Sequence, residues 1–146
     1  MNIGLLHSRI RVEEKLLLDE LARREIRCQP IDVRQVVFTR DNYAAWSQFD
    51  LIVDRCISEA QAEATLAIIE SMGIRCVNRL SVRQVCGNKL TTSLALERAG
   101  VPSIPFRVAL SAESALKAVE EVGYPAVLKP VVGSWGRLLA DRKSVV

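Results

Sequence analysis

Short apolar runs alternate with amphipathic stretches through the first half of the chain. Asn2 to Leu6 (NIGLL) has the length and composition of a buried strand. In Val12 to Glu25 the apolar positions Val12, Leu16, Leu17 and Leu21 recur at helical spacing, with acidic and basic residues filling the opposite face, which predicts a helix that buries that stripe. Cys28 to Val33 and Phe49 to Cys56 read as second and third strands, the latter short and apolar as fully covered parallel strands are, with Asp54 and Arg55 at its carboxyl end. Ser58 and Gln61 stand at the spacing of a capping box, so a helix is expected to start there, run through Ala64, Ala67, Ile68 and Met72, and stop at Gly73. Ile74 to Val77 supplies one more strand.

Strands alternating with helices predict the α/β class, a parallel sheet covered by helices. This rhythm, ending near Asn78, reads as a Rossmann-like unit of about 80 residues, one without the G-x-G-x-x-G dinucleotide fingerprint. After Ser81 the texture changes. A short helical segment is followed by Lys89 to Ala99, closed by Gly100 and the extended Val101-Pro102 step. Ile104 to Leu110 is predicted as a strand, and Ser111 as the N-cap of a helix whose apolar face is Ala112, Ala115, Leu116, Val119 and Val122, with Gly123 as its stop. Tyr124 to Lys129 (YPAVLK) reads as a strand leading into Gly133-Ser134-Trp135-Gly136, with a return strand starting at Arg137 to Ala140.

Composition narrows the class further. Apolar residues make up 49% of the 146 and charged residues 25%, a balance that excludes disordered and collagen-like chains. No apolar stretch approaches the roughly 20 residues of a membrane-spanning helix, and Met1 to Leu6 runs straight into His7, Ser8 and Arg9 without the apolar core of a signal peptide. A cytoplasmic protein that does not engage a membrane is expected. The 20 basic residues outnumber the 17 acidic ones only slightly and are interspersed with them, so a nucleic-acid partner is not indicated. Cys28, Cys56, Cys76 and Cys86 include no C-x-x-C pair, so they are expected to be small buried hydrophobes, and His7 a core histidine, with no metal site among them.

Two lysines carry the candidate chemistry. Lys129 ends an apolar strand shortly before Gly133-Ser134-Trp135-Gly136, where glycines let backbone amides turn toward an anion and the lysine adds a fixed positive charge. Taken alone, the same pattern also describes an ordinary hairpin with an exposed lysine. Lys89, flanked by Asn88, Thr91 and Thr92, opens a helix, a position where a cation opposes the helix dipole and invites an anionic partner unless solvent suffices. The segment reads Gly87-Asn88-Lys89-Leu90, which is not a Walker A loop. Ser8, Arg9 and Arg11 follow the first strand, at the edge where open α/β sheets bind ligands, or else are plain surface charge. No nucleophile-histidine-acid triad can be assembled.

Together these pieces resemble the front half of an ATP-grasp ligase. Gly87-Asn88-Lys89-Leu90-Thr91-Thr92 and Leu94 to Pro102 resemble the segment with that family's first nucleotide lysine, and Tyr124 to Pro130 the strand with its second. Gly133-Ser134-Trp135-Gly136-Arg137 is similar to its phosphate-covering loop. Ser8-Arg9-Ile10-Arg11, Asp54-Arg55-Cys56, Val77-Asn78-Arg79 and above all Gly133 to Ala140 (GSWGRLLA) resemble the RimK-like LysX/ArgX branch, which acts on an amino-group carrier protein in lysine or arginine biosynthesis.

The resemblance implies a pre-ATP-grasp domain at residues 1–85 and the first, incomplete lobe of an ATP-grasp domain at 86–146. It implies ATP bound by Lys89, Lys129, Gly133, Ser134, Trp135, Gly136 and Arg137. Magnesium ligands and catalytic residues are expected beyond residue 146, in a second lobe that a complete enzyme of this family possesses, so the chain reads as an N-terminal fragment, catalytically incomplete by itself. The implied partners are α-aminoadipate or glutamate and an acidic, LysW-like carrier protein, with homo-oligomerisation of the full-length enzyme. A non-catalytic Rossmann-like binding module and another RimK-like glutamate ligase are the competing readings.

Overall fold

The computed structural model describes residues 1–133 and 140–142; of Arg40 and of residues 140–142 it describes the backbone alone. The chain divides into two compact units, Met1–Gln84 and Val85–Val146.

In the first unit, β1 (Asn2–His7), α1 (Val12–Arg23), β2 (Arg27–Asp32), α2 (Tyr43–Trp46), β3 (Leu51–Asp54), α3 (Glu59–Ser71) and β4 (Cys76–Val77) follow one another, and α4 (Leu80–Gly87) begins. All pairings in its sheet are parallel, in the order β2-β1-β3-β4. β1 is central and almost wholly buried, which its unbroken apolar run requires. Pro30 lies in β2, an edge strand, where its missing N–H leaves no ladder position empty. The core gathers Leu6, Ile52, Leu66, Ile69, Trp46 and Phe49, with Trp46 stacked on Phe38 at 5.2 Å between ring centroids.

Gly4 is fixed by this packing. A Cβ there would stand 2.6 Å from Ile52 Cδ1 and 3.2 Å from Ile31 Cδ1. Gly4→Ala is therefore expected to destabilise the fold by about 1–3 kcal/mol, measured as a lowered urea midpoint.

Helix ends follow the sequence reading. Ser58 Oγ accepts the Gln61 amide at the start of α3, and Gly73, at φ 78°, ends the segment in the left-handed region that glycine tolerates. The predicted orientation of α1 is corrected. Val12 and Leu16 are 68% and 64% exposed, Leu17 and Leu21 are half-buried, and the one fully buried side chain of the helix is Glu14. Ion pairs to Glu14, described below, set the rotation of this helix about its axis. Residues 33–46 hold two short 3-10 turns and α2, none of which the apolar periodicity marked.

Cys56 and Cys76 are buried, and burial pushes their thiols up to about 12; Cys28 is half-buried and its thiol is raised for the same reason. Cys86 departs from the expectation: it is exposed, because α4 buries none of its residues.

The second unit holds α5 (Lys89–Arg98), α6 (Ala112–Val122), β5 (Ala126–Leu128) and β6 (Ala140–Arg142), with β5 and β6 antiparallel. α6 starts on a reciprocal pair, Ser111 Oγ accepting the Ser114 amide at 3.1 Å and Ser114 Oγ accepting the Ser111 amide at 3.0 Å. Of its predicted apolar face, Val119 is buried while Leu116 and Val122 are exposed. The strand expected at Ile104 to Leu110 does not form. No strand among the described residues lies beside it to complete its hydrogen bonds, and Ile104 and Leu110 are 87% and 96% exposed. The return strand expected from Arg137 is described only at Ala140–Arg142, as β6.

Candidate functional site

Asn88 organises the start of α5. Its Oδ1 accepts the amides of Leu90 at 2.9 Å and Thr91 at 3.2 Å, and its carbonyl accepts the Thr92 amide at 3.0 Å. The Lys89 amide is taken by the Val131 carbonyl at 2.8 Å. Every amide of the first turn is thus already bonded, so the bare helix end has no spare donor for an anion. What remains available is the lysine side chain.

That side chain reaches the segment after β5. Lys89 Nζ donates to the Gly133 carbonyl at 2.7 Å, and Asn88 and Val132 form an antiparallel bridge beside it. The threonines that follow brace the turn, with Thr92 Oγ1 donating to the Val85 carbonyl at 2.7 Å. Lys89 and Gly133, 44 positions apart, are therefore joined. Lys129 directly follows β5, at the start of the connection to β6, and is exposed, with no hydrogen bond or ion pair to a described residue. Ser134, Trp135, Gly136 and Arg137 lie outside the described residues. Two cationic side chains and a glycine on a strand-to-strand connection suit the phosphates of a nucleotide, since an ammonium group acts on phosphate as a point charge. Among the described residues no three His, Cys, Asp or Glu side chains are grouped to hold a metal ion, so no magnesium ligand is assigned.

A second polar cluster lies at the carboxyl edge of the first unit's sheet, where the sequence places Arg11 and Arg55 but does not single out Glu14. Glu14, with a fully buried side chain, accepts from Arg11 through Nε at 3.0 Å, Nη2 at 2.8 Å and the backbone amide at 2.9 Å. Arg55, after β3, adds Nε at 2.9 Å and Nη2 at 2.8 Å. The hydrogen bond from Arg11, opposed by burial and helped by Arg55, holds the Glu14 carboxyl down at about 2. Arg83 makes a separate clamp, with Nε on Glu59 at 3.0 Å and Nη1 3.5 Å from Asp54. The signal that would have found Glu14 is Arg11 followed by Glu14 at capping-box spacing, with arginine in place of the usual serine or threonine.

An open parallel sheet covered by helices, followed by a unit that joins a helix-borne lysine to the segment after a strand, defines an α/β protein. Residues 3–85 match the LysX preATP-grasp domain, and the chain belongs to that family. It is 36% identical over 140 residues to the glutamate–LysW ligase ArgX of Sulfurisphaera tokodaii, covering 96% of this chain and 49% of that protein. To the alpha-aminoadipate–LysW ligase LysX of the same organism it is 32% identical, covering 96% of this chain and 50% of that one. A RimK domain ATP-grasp protein from Sphaerobacter thermophilus superposes with a TM-score of 0.81 at 26% identity, over 99% of this chain and 54% of its own. The chain spans about half the length of the curated relatives it matches.

Proposed function

We propose that the second unit binds the phosphates of ATP through Lys89 and Lys129, with Gly133 and residues 134–137 closing over them. The carrying observation is the hydrogen bond from Lys89 Nζ to the Gly133 carbonyl, which sets a fixed cation against the glycine-bearing connection after β5. On this reading residues 1–85 are a pre-ATP-grasp domain and 86–146 the opening part of an ATP-grasp lobe.

The reaction that fits is formation of an amide from a carboxylate and an amine. ATP phosphorylates the carboxylate, releasing ADP; the amine attacks the acyl phosphate, the amide forms, and phosphate and a proton leave. The lysines here would neutralise the transferring phosphoryl group, which is the larger part of what a protein contributes to such a step. By analogy with the relatives, the carboxylate belongs to a LysW-like carrier and the amine to glutamate or α-aminoadipate, in the cytoplasm. No helix among the described residues is long and apolar enough to cross a membrane.

A thermal-shift titration with magnesium-ATP tests the nucleotide step. At about 100 times its dissociation constant the ligand adds roughly 2.7 kcal/mol to the folded state, and Lys129→Ala and Lys89→Ala are each expected to remove most of the shift. Wild-type protein that does not shift, or variants that shift as wild type does, would remove the site from this chain.

A further inference from the structure

Asn88 stands alone between two helices. α4 ends at Gly87 and α5 starts at Lys89, so a single residue turns the chain, in extended conformation at φ −117° and ψ 117°. Its backbone also pairs sideways. Asn88 forms the antiparallel bridge with Val132, and the next amide, that of Lys89, donates to the Val131 carbonyl at 2.8 Å. Lys89 is thus at once the first residue of a helix and the neighbour of a β-bridge. In a helix the Cα–Cβ bond tilts toward the N-terminus, so the direction in which the Lys89 side chain leaves is set by how firmly this first turn is held.

A lysine is otherwise a poorly fixed charge. Its ammonium rides on a flexible four-carbon stem, and a binding group that must be ordered as the ligand arrives gives up affinity. Lys89 is ordered beforehand. One of its three ammonium protons goes to the Gly133 carbonyl, at 2.7 Å, and the other two stay available for phosphate oxygens. Lys129 shows the contrast, being exposed and without a hydrogen bond or ion pair to a described residue.

The Asn88 side chain holds the turn from which Lys89 projects. Oδ1 accepts the Leu90 and Thr91 amides, while the Asn88 carbonyl accepts both the amide and Oγ1 of Thr92, each at 3.0 Å. The bridge to Val132 is a backbone pairing and does not call for asparagine. The cap does, because without a side-chain acceptor the Leu90 and Thr91 amides turn to water and the first turn frays. Lys89 lies in that turn.

We propose that Asn88 is a positioning residue of the phosphate site: by capping α5 it holds the Lys89 ammonium against the Gly133 carbonyl, in the direction from which it meets phosphate. Asn88 acts through Lys89 and not by contact with the nucleotide. The role rests on the nucleotide reading for its ligand, whereas the hold on Lys89 is present without one.

The test follows the Lys89 ammonium by NMR in the whole 146-residue chain at low temperature, its signal identified by its loss in Lys89→Arg, and measures magnesium-ATP dissociation constants by calorimetry. In Asn88→Ala the ammonium signal is expected to merge with those of exposed lysines, and ATP to bind about tenfold more weakly. Asn88→Gly should do the same while keeping the fold, since glycine at a cap costs little stability. Asn88→Ser and Asn88→Asp supply an equivalent acceptor and are expected to restore both readouts, although they differ in charge. Ser111→Ala removes the cap of α6 in the same unit and is expected to leave both unchanged, which separates positioning from a general loosening. The proposal fails if Asn88→Gly keeps the ammonium signal and the affinity of wild type, if serine and aspartate restore nothing, or if Ser111→Ala weakens ATP as much. Wild type that binds no ATP overturns the nucleotide reading and the positioning role with it; wild type and Asn88→Gly binding equally well overturn the positioning role alone.

Discussion

Replacing Arg11 and Arg55 together by alanine is expected to cost about 3 kcal/mol of folding stability, because it leaves the Glu14 carboxylate buried and uncompensated. The figure is set at the lower end of the range for broken buried pairs, since both guanidinium groups are partly open to water in the intact protein. The pH dependence gives the effect a signature. Glu14 is held at about 2, below its ordinary value of 4.5, so its contribution is complete above that ordinary value and disappears as pH falls toward 2. Urea unfolding measured from pH 6 down to pH 2 should therefore show wild type losing this increment through the acid range. In the double variant the unpaired, buried Glu14 instead favours the neutral form, and the acid-induced loss should shrink or reverse. Identical slopes for the two proteins would mean that Glu14 is not held by these arginines.

Leu66→Ala is expected to cost about 2–5 kcal/mol. Leu66 is fully buried on α3 and belongs to one cluster with Leu6, Ile52, Trp46 and Phe49. A matched comparison lies in the second unit, where Leu116 on α6 is 63% exposed; Leu116→Ala should change stability by less than about 0.5 kcal/mol. Urea midpoints measured at an unchanged slope separate the two. Equal losses at the two sites would contradict the assignment of the core to the face of the sheet that α3 covers.

The elements were readable where local chemistry decided them. Apolar runs flanked by polar turns gave the strands of the first sheet, while Ser58, Ser111 and Asn88 marked helix starts by hydrogen bonds made within three residues of sequence. Long-range partners were not readable. The rotation of α1 depends on Arg55, 41 positions from Glu14, so the leucine stripe of that helix suggested an inward face that the ion pairs turn partly outward. Ile104 to Leu110 has the composition of a strand, but a strand exists only beside a neighbour, and residue type carries no record of one. The lysines of the candidate site were visible as charges in unusual positions. That Lys89 is joined to Gly133, and that the amides of its helix are already occupied, depends on how α5 meets the segment after β5, which spacing along the chain does not specify.

The strand order also bears on how the chain emerges during synthesis. β1 is made first and ends up in the middle of its sheet. β2 can pair with it as soon as residue 32 is available, but the other edge of β1 stays open until β3 is complete at residue 54. At about 5–20 residues per second that interval is on the order of one to four seconds. For that time an apolar strand offers a free row of hydrogen-bonding groups to any neighbouring chain. Once Gln84 has emerged, every strand of the first sheet is present, and this unit can close before the second has been made.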